Sequence, residues 1–206
     1  MANKRILIGI CNGGTIHAKT ATSLISALDT LKSNGGIDYK VTMIIGGDKP
    51  HGMNRMVREA LEEDFDVMMS IDNDMVFPPD GIMKLLENDK DIVGANYAVR
   101  GNGVEGRVPE CVIKLHNEKG EKISTTIDQL PKTVFKCAGL GNGFTMYKTE
   151  LFKKMSAPWF ANVEDAEGNW GTEDSLFHEA AIKAGFEVWC NPTIEMAHLG
   201  IFPYRI

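Results

Sequence analysis

The chain has no paired cysteines. Cys11, Cys111, Cys137 and Cys190 stand far apart with no C-x-x-C spacing. That pattern argues against a zinc site or a disulfide framework and for buried thiols in a reducing compartment. Long apolar runs are also missing, and none approaches the roughly 20 residues of a membrane-spanning helix. The opening segment carries a strand-length apolar stretch at Ile6-Leu7-Ile8-Gly9-Ile10. No small-residue cleavage site follows it, so no signal peptide is expected and a cytoplasmic location is. Positive charge is not in excess. A net charge of −6 leaves no broad electrostatic footprint for duplex nucleic acid, although a metal or a few basic side chains can still meet phosphates locally. Several catalytic signatures are incomplete. His178-Glu179 opens a zinc-protease pattern, but Ile182 stands where the second histidine belongs. Ser175 lacks the G-x-S-x-G context of a serine hydrolase. The Gly13-Gly14 turn is not followed by the G-K-[ST] of a phosphate-cradling loop.

What is present fits one globular domain over residues 1–206, 43% hydrophobic and 24% charged. Strands and helices alternate through the first half. Residues 5–11, 39–45, 65–71 and 91–95 read as strands. Residues 16–33, 53–63 and 79–88 carry helical periodicity. This β-α-β-α-β-α-β order implies a parallel sheet flanked by helices. The second half changes character. Residues 101–107 are glycine-rich and read as mobile. Residues 110–115 and 122–127 read as paired strands around a turn at 117–120. Residues 135–147 form a strand-like segment broken by Gly139, Gly141 and Gly143. A short helix is expected over 149–155, a polar surface loop over 161–171, a helix over 173–184 and a strand over 186–190. No linker or internal repeat is visible.

The most informative stretch is Val67-Met68-Met69-Ser70-Ile71-Asp72-Asn73-Asp74. A buried strand runs into two carboxylates one residue apart. In an open parallel sheet ligands sit at the carboxyl ends of the strands, and residues two apart in extended chain face the same way. Asp72 and Asp74 could thus form a hard oxygen site for a divalent cation that holds phosphate oxygens. An Asx-rich turn helped by Pro78 and Pro79 accounts for the same residues. Three further features share this double reading. Gly141-Asn142-Gly143-Phe144 fits either close packing or a ligand approach. Thr172-Glu173-Asp174 fits a helix N-terminus, where negative charge is favourable. His198, at the end of the last strand-like segment, fits a hydrogen-bonded structural histidine.

Taken in order, Asp72-Asn73-Asp74, Gly141-x-Gly143-Phe144, Glu173-Asp174-x-x-Phe177 and His198 resemble the GT-A glycosyltransferases, and among them small proteins related to glycosyltransferase family 2. The resemblance runs from the first strand to His198. It implies a GT-A, Rossmann-like fold with a mostly parallel central sheet and a small antiparallel element in the second half. Residues 1–100 would bind the nucleotide sugar, and 101–206 would hold the acceptor and the catalytic groups. The resemblance further implies that Asp74 and His198 ligate Mn2+ or Mg2+, with Asp72 facing the ribose or reaching the metal through water. Asn12, Asn54, Arg55, Asn73, Gly141 and Gly143 would fall around the donor. Asp174 would be the catalytic base of an inverting transfer, with Glu173 beside it. The acceptor would carry a hydroxyl and could be a saccharide, a protein or a nucleic-acid base.

The residue types suit that chemistry. Breaking a sugar–phosphate bond loads charge on the diphosphate, which a metal stabilises as a Lewis acid. Carboxylate oxygens plus one imidazole favour manganese over magnesium. A carboxylate within hydrogen-bond reach can take the proton of the attacking hydroxyl. Trp159 and Trp170 flank the polar loop, as sugar-stacking platforms or as anchors. That loop, 161–171, reads as a lid. The chain departs from the family at two places: Cys11-Asn12-Gly13 replaces a proline-threonine turn, and Asn54-Arg55 reverses an Arg-Asn pair. It also stops eight residues after His198, so no polymerising synthase is expected. A sugar-nucleotide pyrophosphorylase is the main rival, but Asn12-Gly13-Gly14-Thr15 lacks its basic loop. A non-catalytic nucleotide-sugar-binding module is the other.

Overall fold

The computed structural model describes residues 4–12, 14–99, 110–164, 166, 168 and 170–200. The expected mobile segment at 101–107 lies outside them. Five strands and three helices make the first half: β1 (Lys4–Asn12), α1 (Ala18–Ser33), β2 (Ile37–Ile45), α2 (Lys49–Glu62), β3 (Val67–Asp72), β4 (Met75–Val76), α3 (Gly81–Asn88) and β5 (Ile92–Ala95). The helices begin where capping permits rather than where periodicity begins. His17 is extended and its Nδ1 accepts the Lys19 N–H at 3.2 Å, so α1 opens at Ala18. Asp48 accepts the His51 N–H at 2.9 Å with Pro50 in the first turn. That cap starts α2 four residues before its apolar stripe.

The second half contains β6 (Glu110–His116), β7 (Lys122–Thr126), β8 (Phe135–Cys137), β9 (Phe144–Lys148), α4 (Glu150–Lys154), β10 (Val163–Glu164), β11 (Trp170–Gly171), α5 (Glu173–Lys183), β12 (Val188–Asn191) and β13 (Ala197–His198). β6 and β7 form the expected antiparallel pair, and a 3-10 turn over Ile127–Gln129 follows β7 in place of a longer strand. The stretch read as one glycine-broken strand is two strands, because the glycines lie in the connection between β8 and β9. The polar loop is a short hairpin, β10 against β11.

Among the described residues, seven strands form one sheet in the order β2-β1-β3-β9-β5-β12-β8. β2, β1, β3, β5 and β12 run in one direction; β9 opposes both of its neighbours, and β8 opposes β12. The sheet is therefore mostly parallel, as expected. β5 does not pair with β3, however, because β9 lies between them. Gly94 in β5 makes that insertion possible. A Cβ there would stand 2.5 Å from Thr145 Oγ1 and 2.9 Å from the Phe144 carbonyl.

Both faces of the sheet are covered, so the central strands are apolar on both sides. Ile6, Ile8 and Ile10 of β1 pack with Val67, Met69 and Ile71 of β3 under α1 and α3. Leu7 and Met68 face the other way, toward Met53, Met56, Val57 and Ala60 of α2. Beside them lies an aromatic cluster of Tyr147, Phe152, Phe160 and Phe177, with Phe160 and Phe177 stacked at 4.3 Å. Each such fully buried side chain contributes roughly 1.5–3 kcal/mol. This two-sided core leaves the carboxyl ends of the five parallel strands as the rim on which polar groups gather.

Candidate active site

Asp72 is the last residue of β3 and so lies on that rim. Its N–H donates to the Gly143 carbonyl at 2.9 Å, which fixes the strand end against the segment entering β9. The chain then turns through Asn73 and Asp74 into β4, and β4 pairs antiparallel with β13, His198 opposite Met75. This pairing brings His198 to the D-x-D. Its Nε2 lies 3.6 Å from Asp74 Oδ1, and the Leu199 N–H donates to the Asp74 carbonyl at 2.9 Å.

The imidazole is held in one orientation. Nδ1 stands 3.0 Å from the Ala98 carbonyl, which can only accept, so the proton sits on Nδ1. The Tyr97 ring meets the imidazole edge-on at 5.4 Å. Nε2 is left to face the Asp74 carboxylate. A ring N–H on a backbone carbonyl is the usual support of a metal-ligating histidine. Two ligands about 2.1 Å from one ion at right angles stand roughly 3 Å apart, close to the separation found. Among the described residues no group of three or more His, Cys, Asp or Glu side chains is placed to hold a metal. Asp74 and His198 are thus a two-residue contact and not a closed metal cage.

Asp72 has a different partner. Its Oδ1 is ion-paired with Lys49 Nζ from the first turn of α2. Burial alone would lower the Lys49 pKa, but the Asp72 carboxylate outweighs it and the ammonium is held above its ordinary range. Lys49 was not a candidate from sequence. The signal was Gly46-Gly47-Asp48-Lys49-Pro50, a capped helix start at the carboxyl end of β2. Cys11, Ile44, Asp48, Lys49 and three glycines border a cavity of about 150 Å³ there.

Glu173 and Asp174 open α5 behind an extended Thr172. Asp174 Oδ1 accepts from the Thr172 hydroxyl and from the Ser175 N–H, the latter at 2.7 Å, so this carboxylate does cap its helix. The Glu173 N–H donates to Asn162 Oδ1 at 2.9 Å. Burial, then the charge of Asp174, raises the Glu173 carboxyl above its usual range. Lys49 opposes that shift and Asp72 adds to it, so Glu173 belongs to the same electrostatic cluster.

Several other candidates serve the protein's own architecture. Gly141 and Gly143 make room for the Tyr97 hydroxyl, which a Cβ at either position would overlap and which accepts the Gly143 N–H at 2.8 Å. Tyr97 was invisible as a site residue in the sequence. Burial, then the Asp72 charge, pushes its pKa well up, so it stays neutral. Asn54 is buried, donates to the Pro50 and Phe160 carbonyls at 2.8 and 2.7 Å, and accepts the Trp159 and Phe160 N–H groups. Asn73 donates to the Thr15 carbonyl at 2.8 Å and ties the D-x-D turn to the approach to α1. Arg55 is exposed on α2. Asn12 ends β1, and its side chain lies outside the described residues. Trp159 anchors its indole N–H on the Phe152 carbonyl at 3.0 Å, whereas Trp170 is 62% exposed.

No protein-family model matches the chain, and no curated protein matches it. Solved structures do. A197 from STIV is similar at a TM-score of 0.61 and 19% identity over 96% of this chain and 86% of that one. GalNAc-T7, solved with UDP, GalNAc and Mn2+, is similar at a TM-score of 0.52 and 10% identity over 96% of this chain. The fold is GT-A-like. At these identities the likeness is one of fold, and this chain spans 44% of the length of the GalNAc-T7 chain. Among the described residues no helix is long and apolar enough to cross a membrane.

Proposed function

We propose that this chain is a glycosyltransferase related to family 2, moving a sugar from a nucleoside-diphosphate donor to an acceptor hydroxyl with inversion. The observation that carries the reading is the meeting of Asp74 and His198 at 3.6 Å on the carboxyl rim, in a fold shared with a protein solved with UDP and Mn2+. Residues 1–100 hold the donor in this reading and 101–206 the acceptor. Asp74 and His198 hold Mn2+ or Mg2+, which supplies Lewis-acid stabilisation of the departing diphosphate.

The chain's own groups do the rest. Lys49 is a fixed cation beside the D-x-D and offsets negative charge there, while Asp72 keeps the ammonium in place. Tyr97, through Gly143 and Ala98, holds both Asp72 and His198 at the rim. Asp174, at the start of α5, takes the proton of the acceptor hydroxyl. Glu173 is the second candidate for that role, because burial raises its proton affinity toward the working range of a base.

Incubation with Mn2+ and a panel of nucleoside-diphosphate sugars tests the proposal. Release of nucleoside diphosphate supports a transferase. Pyrophosphate-dependent formation of nucleoside triphosphate would instead make the chain a pyrophosphorylase, and neither product would make it a binding module.

A further inference from the structure

The sheet ends at β2 without a guard. Among the described residues β2 is an outermost strand and pairs only with β1. It runs in unbroken register from Ile37 opposite Lys4 to Ile45 opposite Asn12, so no bulge bends the edge away. No proline interrupts it. Its two charged side chains are drawn inward. Asp38 meets Arg5 of β1 at 3.5 Å, and Lys40 meets Glu59 and Glu63 at the end of α2 at 3.1 and 2.6 Å. Proteins charge or cover such an edge, because its open N–H and C=O groups are a template for another strand.

The side chains beside that edge are apolar. The Lys4 N–H donates to the Gly36 carbonyl at 3.1 Å. In a parallel pair this phase turns the backbone groups of Asp38, Lys40, Thr42 and Ile44 toward β1 and those of Ile37, Tyr39, Val41, Met43 and Ile45 outward. The latter five side chains share one face of the sheet. It is the α1 face, where Ile37, Tyr39 and Val41 lean on the core. Met43 is 48% and Ile45 65% exposed, whereas Ile44 on the opposite face is 3% exposed.

β2 is complementary to itself. Antiparallel pairing of two copies sets outward-facing residues opposite one another. Centred on Val41, it uses the whole strand: Ile37 faces Ile45, Tyr39 faces Met43 and Val41 faces Val41, with about ten backbone hydrogen bonds. On the α2 face the same register sets Lys40 opposite Thr42 of the other copy, whose hydroxyl donates to Glu59 at 3.3 Å. Each ammonium thus approaches a carboxylate across the axis. Sliding one copy by two residues centres the pair on Lys40 or on Thr42. Two Lys40 ammonium groups, or two Glu59 carboxylates, then confront each other.

We infer that two copies of this chain associate through β2, antiparallel about a two-fold axis at Val41, and join their two sheets into one. An isologous contact needs a surface that matches itself; a strand from a foreign protein needs no such match. The two carboxyl rims then point in opposite directions, so neither copy covers the other's Asp74 and His198. The pairing does not depend on the transferase reading.

Sedimentation of the full chain across a concentration series tests this association. The parent should reach twice the mass of one chain. Met43→Lys combined with Ile45→Lys puts charge at exposed positions on the paired face. It should weaken association at least about tenfold, with a parental far-ultraviolet circular dichroism spectrum. Mild oxidation tests the register. Val41→Cys brings two thiols across the axis with Cα atoms about 5.5 Å apart, within disulfide range, and should give a covalent dimer. Met43→Cys, which faces Tyr39 and not its own counterpart, should not, and neither should the parent with its Cys11. If the double variant fails to fold, the cross-link decides. A chain monomeric throughout the series, a dimer indifferent to the double substitution, or Met43→Cys cross-linking as readily as Val41→Cys overturns the inference.

Discussion

At the start of α5 two adjacent carboxylates meet different surroundings, and the difference can be measured. Asp174 hydrogen-bonds within its own turn, whereas the Glu173 carboxyl is perturbed by burial and by neighbouring charges. Asp174→Asn keeps the shape and the capping capacity but cannot take a proton. It should fold and bind donor normally yet lose roughly 10²–10⁴-fold in turnover, the range of general acid–base catalysis. Glu173→Gln should cost less. Turnover of Asp174→Asn near the parental rate, with a large loss in Glu173→Gln, would move the base to Glu173. Glu173 also makes a stability prediction. Because its pKa is raised on folding, the native state holds its proton more tightly than the unfolded chain, and stability falls as pH rises through that range. Glu173→Gln should therefore match the parent at about pH 3, where both groups are neutral, and melt higher than the parent at neutral pH. Thermal unfolding across that interval checks this, and a gap that does not open with pH contradicts it.

At the scale of elements, two residues the sequence offered as ordinary hold distant segments together. Asn54 of α2 receives the Trp159 and Phe160 N–H groups, fastening the segment after α4 to α2. Asn54→Ala leaves those donors unsatisfied and should cost about 1–3 kcal/mol by urea unfolding, with nucleoside diphosphate affinity unchanged. A variant of parental stability with weakened nucleotide binding would return Asn54 to the donor site. Gly94 lets β9 enter between β3 and β5. Gly94→Ala should destabilise by about 1–3 kcal/mol, since its Cβ presses on the Phe144 backbone as well as on the Thr145 side chain. The alternation of strands and helices was legible because local burial patterns mark it. The insertion of β9 was not, because nothing local distinguishes a strand that pairs antiparallel with two distant partners from one that pairs elsewhere. Helix starts were misread at Ile16 and Met53, where caps rather than apolar stripes decide.

For the whole molecule, the candidate site could be proposed from sequence where it rests on residue type and not where it rests on packing. The D-x-D, the acid pair and His198 stand out as motifs, and the pairing of β4 with β13 brings Asp74 and His198 together. Lys49 and Tyr97 carry no motif. They join the site only because α2 starts early and because two glycines leave space for a tyrosine hydroxyl. The reading as a whole depends on one property of this rim, that it binds a diphosphate through a divalent cation. Calorimetric titration of nucleoside diphosphates with Mn2+ or with EDTA, on the parent chain and on Asp74→Asn and His198→Gln, measures it directly. The parent should lose at least roughly tenfold in affinity when the metal is removed, about 1.4 kcal/mol, and both variants should bind with the weaker affinity whether or not Mn2+ is present. Equal affinity of the parent chain with Mn2+ and with EDTA would contradict the account.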